Sequence, residues 1–246
     1  MFQARARAEV LKEVVNVVST LVDEAKFTLN AEGLTLRAVD PAHIAMVDLT
    51  LAKDAFEEFK AEESEIGIDI DKLSQFLKLA RGDDIVDLRH DEDKRKLKIV
   101  VGDITRHMSL IDTTGMSDPK VPNLNLPASV TVRSDDLLQG IRASETVSDH
   151  IALVANSEGF EMSCEGDMDQ VHWKKAKKDL ASLQTENSVR SLFPLEYFSN
   201  MLKSVSSGSE VTMHLGSDYP VKMEFRIAGD KGEVRYLLAP RIESSD

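Results

Sequence analysis

Cysteine is nearly missing from this chain. Cys164 stands alone in 246 residues, which excludes an internal disulfide framework and a cysteine cage for zinc. Long apolar runs are missing too: the longest, Ile151 to Ala155, falls far short of the ~20 residues that span a bilayer. The opening Met1-Phe2-Gln3-Ala4-Arg5-Ala6-Arg7 has no apolar stretch of signal-peptide length before charge intervenes. Positive charge is scarce, with 30 Lys and Arg against 43 Asp and Glu and a formal charge of −13. That excludes a globally basic nucleic-acid binder but leaves room for a local basic face. Catalytic signatures are also lacking: no G-x-x-x-x-G-K-S/T phosphate loop, no G-x-G-x-x-G after a strand, no H-E-x-x-H, no G-x-S-x-G elbow. The six histidines, His43, His90, His107, His150, His172 and His214, have no metal-ligand spacing. Asp91-Glu92-Asp93 and Glu165 to Asp169 lack the full calcium-loop pattern and read as surface turns. The expectation is a soluble intracellular protein without metal or cofactor, which binds rather than catalyses. An enzyme with an unfamiliar site is the competing reading.

What is present is enough for one or two cores, with 42% hydrophobic and 30% charged residues. Three of the seven prolines, Pro119, Pro122 and Pro127, fall in one stretch, 117–127. Proline removes backbone donors and biases its predecessor toward extended geometry, so this stretch reads as an extended connector. It divides the chain into an N-terminal domain over 1–116 and a C-terminal domain over 128–246. Its Val121, Leu124 and Leu126 are unusually apolar for a spacer; they either pack on their own domain or help line a docking groove.

An internal repeat supports two related halves. Ala25 to Leu34 recurs as Ile151 to Phe160, 126 positions on, with Asn30/Asn156, Glu32/Glu158 and Gly33/Gly159 identical. Leu77-Lys78 matches Leu202-Lys203, and Gly102-Asp103 matches Gly229-Asp230, in the same order. Cys164 then corresponds to Ala38, which suits a small buried residue. Leu11, Val14, Val15, Val18, Leu21 and Val22 form a helical stripe. A second helix follows Asp71 as cap, with Leu73, Phe76, Leu77 and Ala80 inward. Ser134 caps a third, with Leu137, Leu138 and Ile141, and Pro194 opens a fourth, with Leu195, Phe198, Leu202 and Val205. Alternating runs between them, such as Phe27/Leu29 and Leu34/Leu36/Ala38 about Asn30–Gly33, read as hairpins. Single helices separating strand clusters predict an α+β fold with antiparallel sheets.

The helices also concentrate cations: Lys12 on the first, Lys72, Lys78 and Arg81 on the second, Arg142 on the third and Lys203 on the fourth. Short neutral polar residues accompany them. Such a surface can touch phosphates without reading sequence. The run Lys174-Lys175-Ala176-Lys177-Lys178 reads as edge-strand protection or one side of a subunit contact, with a nucleic-acid patch as the alternative.

Several stretches resemble one family. Leu36-Arg37-Ala38-Val39-Asp40-Pro41-Ala42-His43-Ile44-Ala45-Met46 is similar to the segment after the second strand of proliferating-cell nuclear antigen, the ring-shaped DNA sliding clamp. The ending Tyr236 to Glu243 resembles its C-terminal signature and Met1 to Arg5 its start, with archaeal members most alike. The resemblance implies a homotrimer of two-domain subunits, each with sheets outside and two helices per domain lining a pore. Twelve helices at ~10 Å spacing would enclose about 28 Å, enough for a hydrated duplex. It further implies that Lys12, Lys78, Arg81, Arg142 and Lys203 face encircled double-stranded DNA. Gln75 and Gln139 stand where some relatives carry another cation. Partners would dock short motifs on Val39, His43, Ile44, Met46, Val121, Leu124, Leu126, Pro220, Leu237, Ala239 and Pro240; a DNA polymerase, clamp loader, ligase and flap nuclease are the implied clients. A strand around Thr105–Leu110 of one subunit would pair with one around Val171–Lys177 of the next. The competing expectation is a clamp-fold scaffold or checkpoint-type subunit with little direct role on DNA.

Overall fold

The computed structural model describes residues 1–242; Glu243 of the ending signature and 244–246 lie outside the described residues. Two compact units emerge. Met1–Lys120 with Arg226–Val234 make the first, and Val121–Phe225 with the remainder make the second.

In the first unit, β1 (Phe2–Arg7) runs into α1 (Ala8–Val18), followed by β2 (Glu24–Asn30), β3 (Gly33–Val39), β4 (Ala45–Ala52), β5 (Glu58–Ala61) and β6 (Ser64–Asp69). Then come α2 (Ile70–Leu77), β7 (Ile85–Asp91), β8 (Lys96–Val101) and β9 (Ile104–Ser109). One antiparallel sheet has the order β5-β1-β7-β8-β9, and β4-β3-β2-β6 are neighbours in another. The alternation holds: Phe27, Leu29, Leu34 and Leu36 are buried, with Phe27 opposite Leu36 and Leu29 opposite Leu34. The apolar stripes of α1 and α2 are buried as well, and the two helices pack together. Each fully buried Leu or Phe contributes ~1.5–3 kcal/mol.

The second unit repeats the plan with β10 (Ala128–Arg133), α3 (Ser134–Ser144), β11 (His150–Asn156), β12 (Gly159–Glu165), β13 (Gln170–Ala176), β14 (Ser182–Thr185) and β15 (Val189–Pro194). α4 (Leu195–Lys203), β16 (Glu210–Leu215), β17 (Val221–Ile227) and β18 (Gly232–Leu238) complete it, the turn between the last two strands being counted with the first unit. Its sheets include β14-β10-β16-β17 and β13-β12-β11-β15, and α3 packs on α4. Phe160, Phe193, Phe198 and Tyr236 are among its fully buried side chains.

The repeat is visible atom by atom. Asn30 Oδ1 accepts from the Glu32 amide at 2.8 Å, and Asn156 Oδ1 accepts from the Glu158 amide at 2.9 Å. The Glu32 and Glu158 carbonyls then accept from the Lys53 and Lys177 amides, at 2.8 and 2.7 Å. A Cβ on Gly33 or Gly159 would stand 2.1 Å from the carbonyl oxygen of Leu51 or Lys175. Only glycine permits that approach, which is why the same three residues recur.

Helix ends differ from expectation. The cap of α2 is Asp69, not Asp71: the helix begins at Ile70, whose amide donates to the Asp23 carbonyl, and Asp69 accepts from the Lys72 amide at 2.9 Å. Ser134 is the first residue of α3 rather than its cap; its Oγ donates to the Ser206 carbonyl, so it ties the helix to a loop. α2 stops at Leu77, leaving Lys78 at the C-cap and Arg81 in the loop beyond. Likewise α1 stops at Val18, before Leu21 and Val22.

Candidate nucleic-acid interface and docking site

The first unit carries Lys12, Lys78 and Arg81; the second carries Arg142 and Lys203. Lys78, Arg81, Arg142 and Lys203 are exposed and Lys12 is half-buried. The helix C-terminus gives a local reason for three of them. Arg142 and Lys203 lie in the last turns of α3 and α4, and Lys78 caps α2, where a cation gains ~0.3–1 kcal/mol from the macrodipole. Lys12 Nζ donates to the Ala80 carbonyl at 2.6 Å, joining α1 to the end of α2. Lys203 Nζ stands 2.8 Å from Oε1 of Glu145, which also accepts from Ser199 Oγ at 2.6 Å. Those hydrogen bonds, the lysine's first and the serine's second, hold the Glu145 carboxyl below the usual range. Glu145 thus partly neutralises Lys203 within the chain, a partner sequence reading did not identify. The lysine run also has internal partners: Lys174 meets Glu161 at 3.0 Å and Lys175 meets Asp136. These two lysines lie on β13, an edge strand of its sheet.

Four of the eleven docking residues lie in the first unit and seven in the second. Val39 ends β3, His43 and Ile44 lie in the loop that follows, and Met46 is the second residue of β4. That loop is built on Asp40. Its carboxylate is almost wholly buried and accepts from the amides of Ala42, Ile44 and Ala45 at 2.9, 2.8 and 2.7 Å. The Asp40 carbonyl accepts from the His43 amide as well, at 2.9 Å. His43 consequently adopts φ 58°, a left-handed conformation, and stays exposed beside a half-buried Ile44. Asp40 was present in the motif but unassigned; an aspartate before Pro-Ala, a turn sequence in which Asx side chains bond nearby amides, was the signal for it.

In the second unit Val121, Leu124, Leu126, Pro220, Ala239 and Pro240 are half-buried and Leu237 is buried. Met46 of the first unit is buried too. Ser191 shapes the loop leading to Pro220: its Oγ donates to the Gly216 carbonyl at 2.6 Å and accepts from the Asp218 amide at 2.8 Å. Leu126 lies against Gly216, where an added Cβ would come within 3.3 Å of the leucine Cδ2. Among the described residues no group of three or more His, Cys, Asp or Glu could hold a metal ion, and no helix is long and apolar enough to cross a membrane.

Comparison with known proteins places this arrangement. The family model for the N-terminal domain of proliferating cell nuclear antigen matches residues 1–114, and that for its C-terminal domain matches 120–241. The chain belongs to the proliferating cell nuclear antigen family. Among relatives named DNA polymerase sliding clamp, one from Methanocella arvoryzae is 44% identical and one from Methanococcoides burtonii 42%, each over 99% of this chain and 100% of its own. Solved structures agree. One described as the C-terminal region of FEN-1 bound to A. fulgidus PCNA superposes with a TM-score of 0.93 at 34% identity, covering all of both chains. PCNA from Thermococcus kodakaraensis gives 0.91 at 28%, over 98% of this chain and 100% of that one. The antiparallel sheets and paired helices described above are therefore those of the PCNA fold.

Proposed function

We propose that this protein is a DNA sliding clamp, a processivity factor that encircles duplex DNA and tethers replication and repair enzymes. The observation that carries the reading is the full-length similarity, above 40% identity, to proteins named DNA polymerase sliding clamp. Lys12, Arg142 and Lys203 on their helices and Lys78 at a helix C-cap support it. Three chains close into a ring through the edge strands β9 and β13, so that neither edge is left open to aggregation. Lys12, Lys78, Arg81, Arg142 and Lys203 face the duplex in the pore. Their contacts are weak and sequence-independent, and enclosure replaces grip, so a chain of charge −13 can still hold DNA. In this reading the ring catalyses no step.

Partners dock through residues of the Asp40–Ile44 loop, of the connector over 117–127 and of the C-terminal Ala239-Pro240. FEN-1, a nuclease whose C-terminal region is bound in the A. fulgidus relative, gives the flap nuclease as one client; a DNA polymerase, a ligase and a clamp loader are the others. The domain boundaries that go with this proposal are 1–116, 117–127 and 128–246. The deciding experiment measures retention on closed circular against linear duplex. A clamp stays on the circle and runs off free ends; equal retention would refute encirclement. Light scattering should give about 82 kDa, three chains of 27.3 kDa.

A further inference from the structure

Lys26 is an outward-facing lysine on β2, yet its side chain is only 8% exposed. Its Nζ lies 2.8 Å from Oδ2 of Asp118 and 3.2 Å from Oε1 of Glu65. Glu65 stands on the neighbouring strand β6, diagonal to Lys26 in the register, where cross-strand charge pairs are within reach. Asp118 belongs to no strand or helix: it lies at the start of the connector, 92 positions away.

A second anchor sits beside the first. Gly67 is opposite Lys26 in the β2–β6 ladder, and the Ile111 amide donates to the Gly67 carbonyl at 2.9 Å. A Cβ on Gly67 would come within 2.5 Å of the Ile111 carbonyl oxygen, so the glycine lets the departing chain lie flat on the strand. The chain leaving the first unit is thereby pinned at Ile111 by backbone and at Asp118 by charge. The loss of hydration at Lys26 is outweighed by its hydrogen bond to Asp118, the largest influence, and a weaker one to Glu65, and its ammonium is held above the ordinary value.

We propose that Lys26 is the clasp of the connector: a positioning residue that fixes the start of the segment 117–127 and so pre-organises the docking surface for partner peptides. The inference rests on the docking reading above. Six residues separate Asp118 from Leu124, a reach of at most about 21 Å when fully extended. Holding Asp118 therefore confines the apolar anchors Leu124 and Leu126 before a partner arrives, and ordering cost already met in the free protein appears as affinity. Because Asp118 is well exposed, the clasp is open to salt. Ionic strength then tunes client affinity through the Lys26–Asp118 contact.

The experiment compares the full-length wild type with Asp118→Asn, Lys26→Met and the double variant. The probe is a synthetic peptide of the FEN-1 C-terminal region, titrated at low and high salt, alongside hydrogen exchange of residues 117–127. Asp118→Asn leaves Lys26 beside Glu65, so no buried charge is stranded and folding is spared. Faster exchange in the connector, a peptide affinity lower by about five-fold, and loss of part of the salt dependence are expected of each single variant, in line with a charge-assisted hydrogen bond. The double variant should lose no more than either single one. Unchanged connector exchange overturns the clasp. Faster exchange with unchanged affinity, while Ile44→Asp abolishes binding, overturns its positioning role. Should Ile44→Asp leave the peptide bound, the docking reading itself fails and the positioning role falls with it.

Discussion

Glu145 Oε1 binds Lys203 Nζ at 2.8 Å and Ser199 Oγ at 2.6 Å, so one carboxylate already occupies a cation proposed to meet DNA. Glu145 stands at the C-cap of α3 and Lys203 in the last turn of α4, so the pair also joins the two helices. A phosphate reaching Lys203 competes with an internal partner. This keeps contacts weak, which suits a ring that must move along its track.

Replacing Glu145 by Gln should release that lysine. Duplex binding, followed by anisotropy from 50 to 200 mM salt, is expected to tighten. Its slope in log K against log salt should steepen by about 0.9 per added phosphate contact. The reverse change, Lys78→Glu with Lys203→Glu, should shorten polymerase products in a processivity assay; full-length products would remove these two lysines from the interface.

Asp40, itself buried, organises its loop by accepting three amide hydrogen bonds. Asp40→Ala leaves those donors without their acceptor and should cost about 2–4 kcal/mol in urea-unfolding experiments. His43→Gly, which relieves the left-handed backbone at φ 58°, should be neutral or stabilising by up to about 1 kcal/mol. A loss of stability in the glycine variant would mean that the imidazole itself braces the loop.

Ile44→Asp and Pro240→Asp place a charge on half-buried positions of the proposed docking surface. Each should weaken the FEN-1 peptide by more than about ten-fold in calorimetry, since an apolar groove cannot solvate the carboxylate. The mass from light scattering should not change. Dissociated chains would show instead that these residues hold the assembly together.

Acid should loosen α2 first at its cap. The Asp69 carboxyl is held below its ordinary value, chiefly by the Lys72 ammonium and next by the Lys72 amide. Its folded pKa is depressed, so its contribution is complete above the unfolded carboxyl value of about 3.9 and fades as pH falls through the folded one. In Asp69→Asn the cap survives without the titration. Urea midpoints of that variant should therefore vary less between about pH 5 and pH 2 than those of the wild type; parallel curves would show that the ion pair adds nothing.

Much of this protein was legible in its sequence. Helical stripes such as Leu11, Val14, Val15 and Val18 identified the buried faces, because a 3.6-residue period has one packing solution. The Asn-x-Glu-Gly repeat located two equivalent hairpins, because only glycine tolerates a carbonyl oxygen 2.1 Å from where a Cβ would sit. The cations of the paired helices were countable before any coordinate was known. Tertiary structure alone decided the rest. Whether Asp69 or Asp71 caps α2 depends on the Ile70 amide reaching Asp23. Ser134 serves a distant loop instead of its own helix, Glu145 claims Lys203, and Lys26 clasps Asp118 from 92 positions away. Periodicity and propensity are local and leave their mark on neighbouring residues. A hydrogen bond between remote side chains leaves none, because the distance that creates it exists only after the chain has folded.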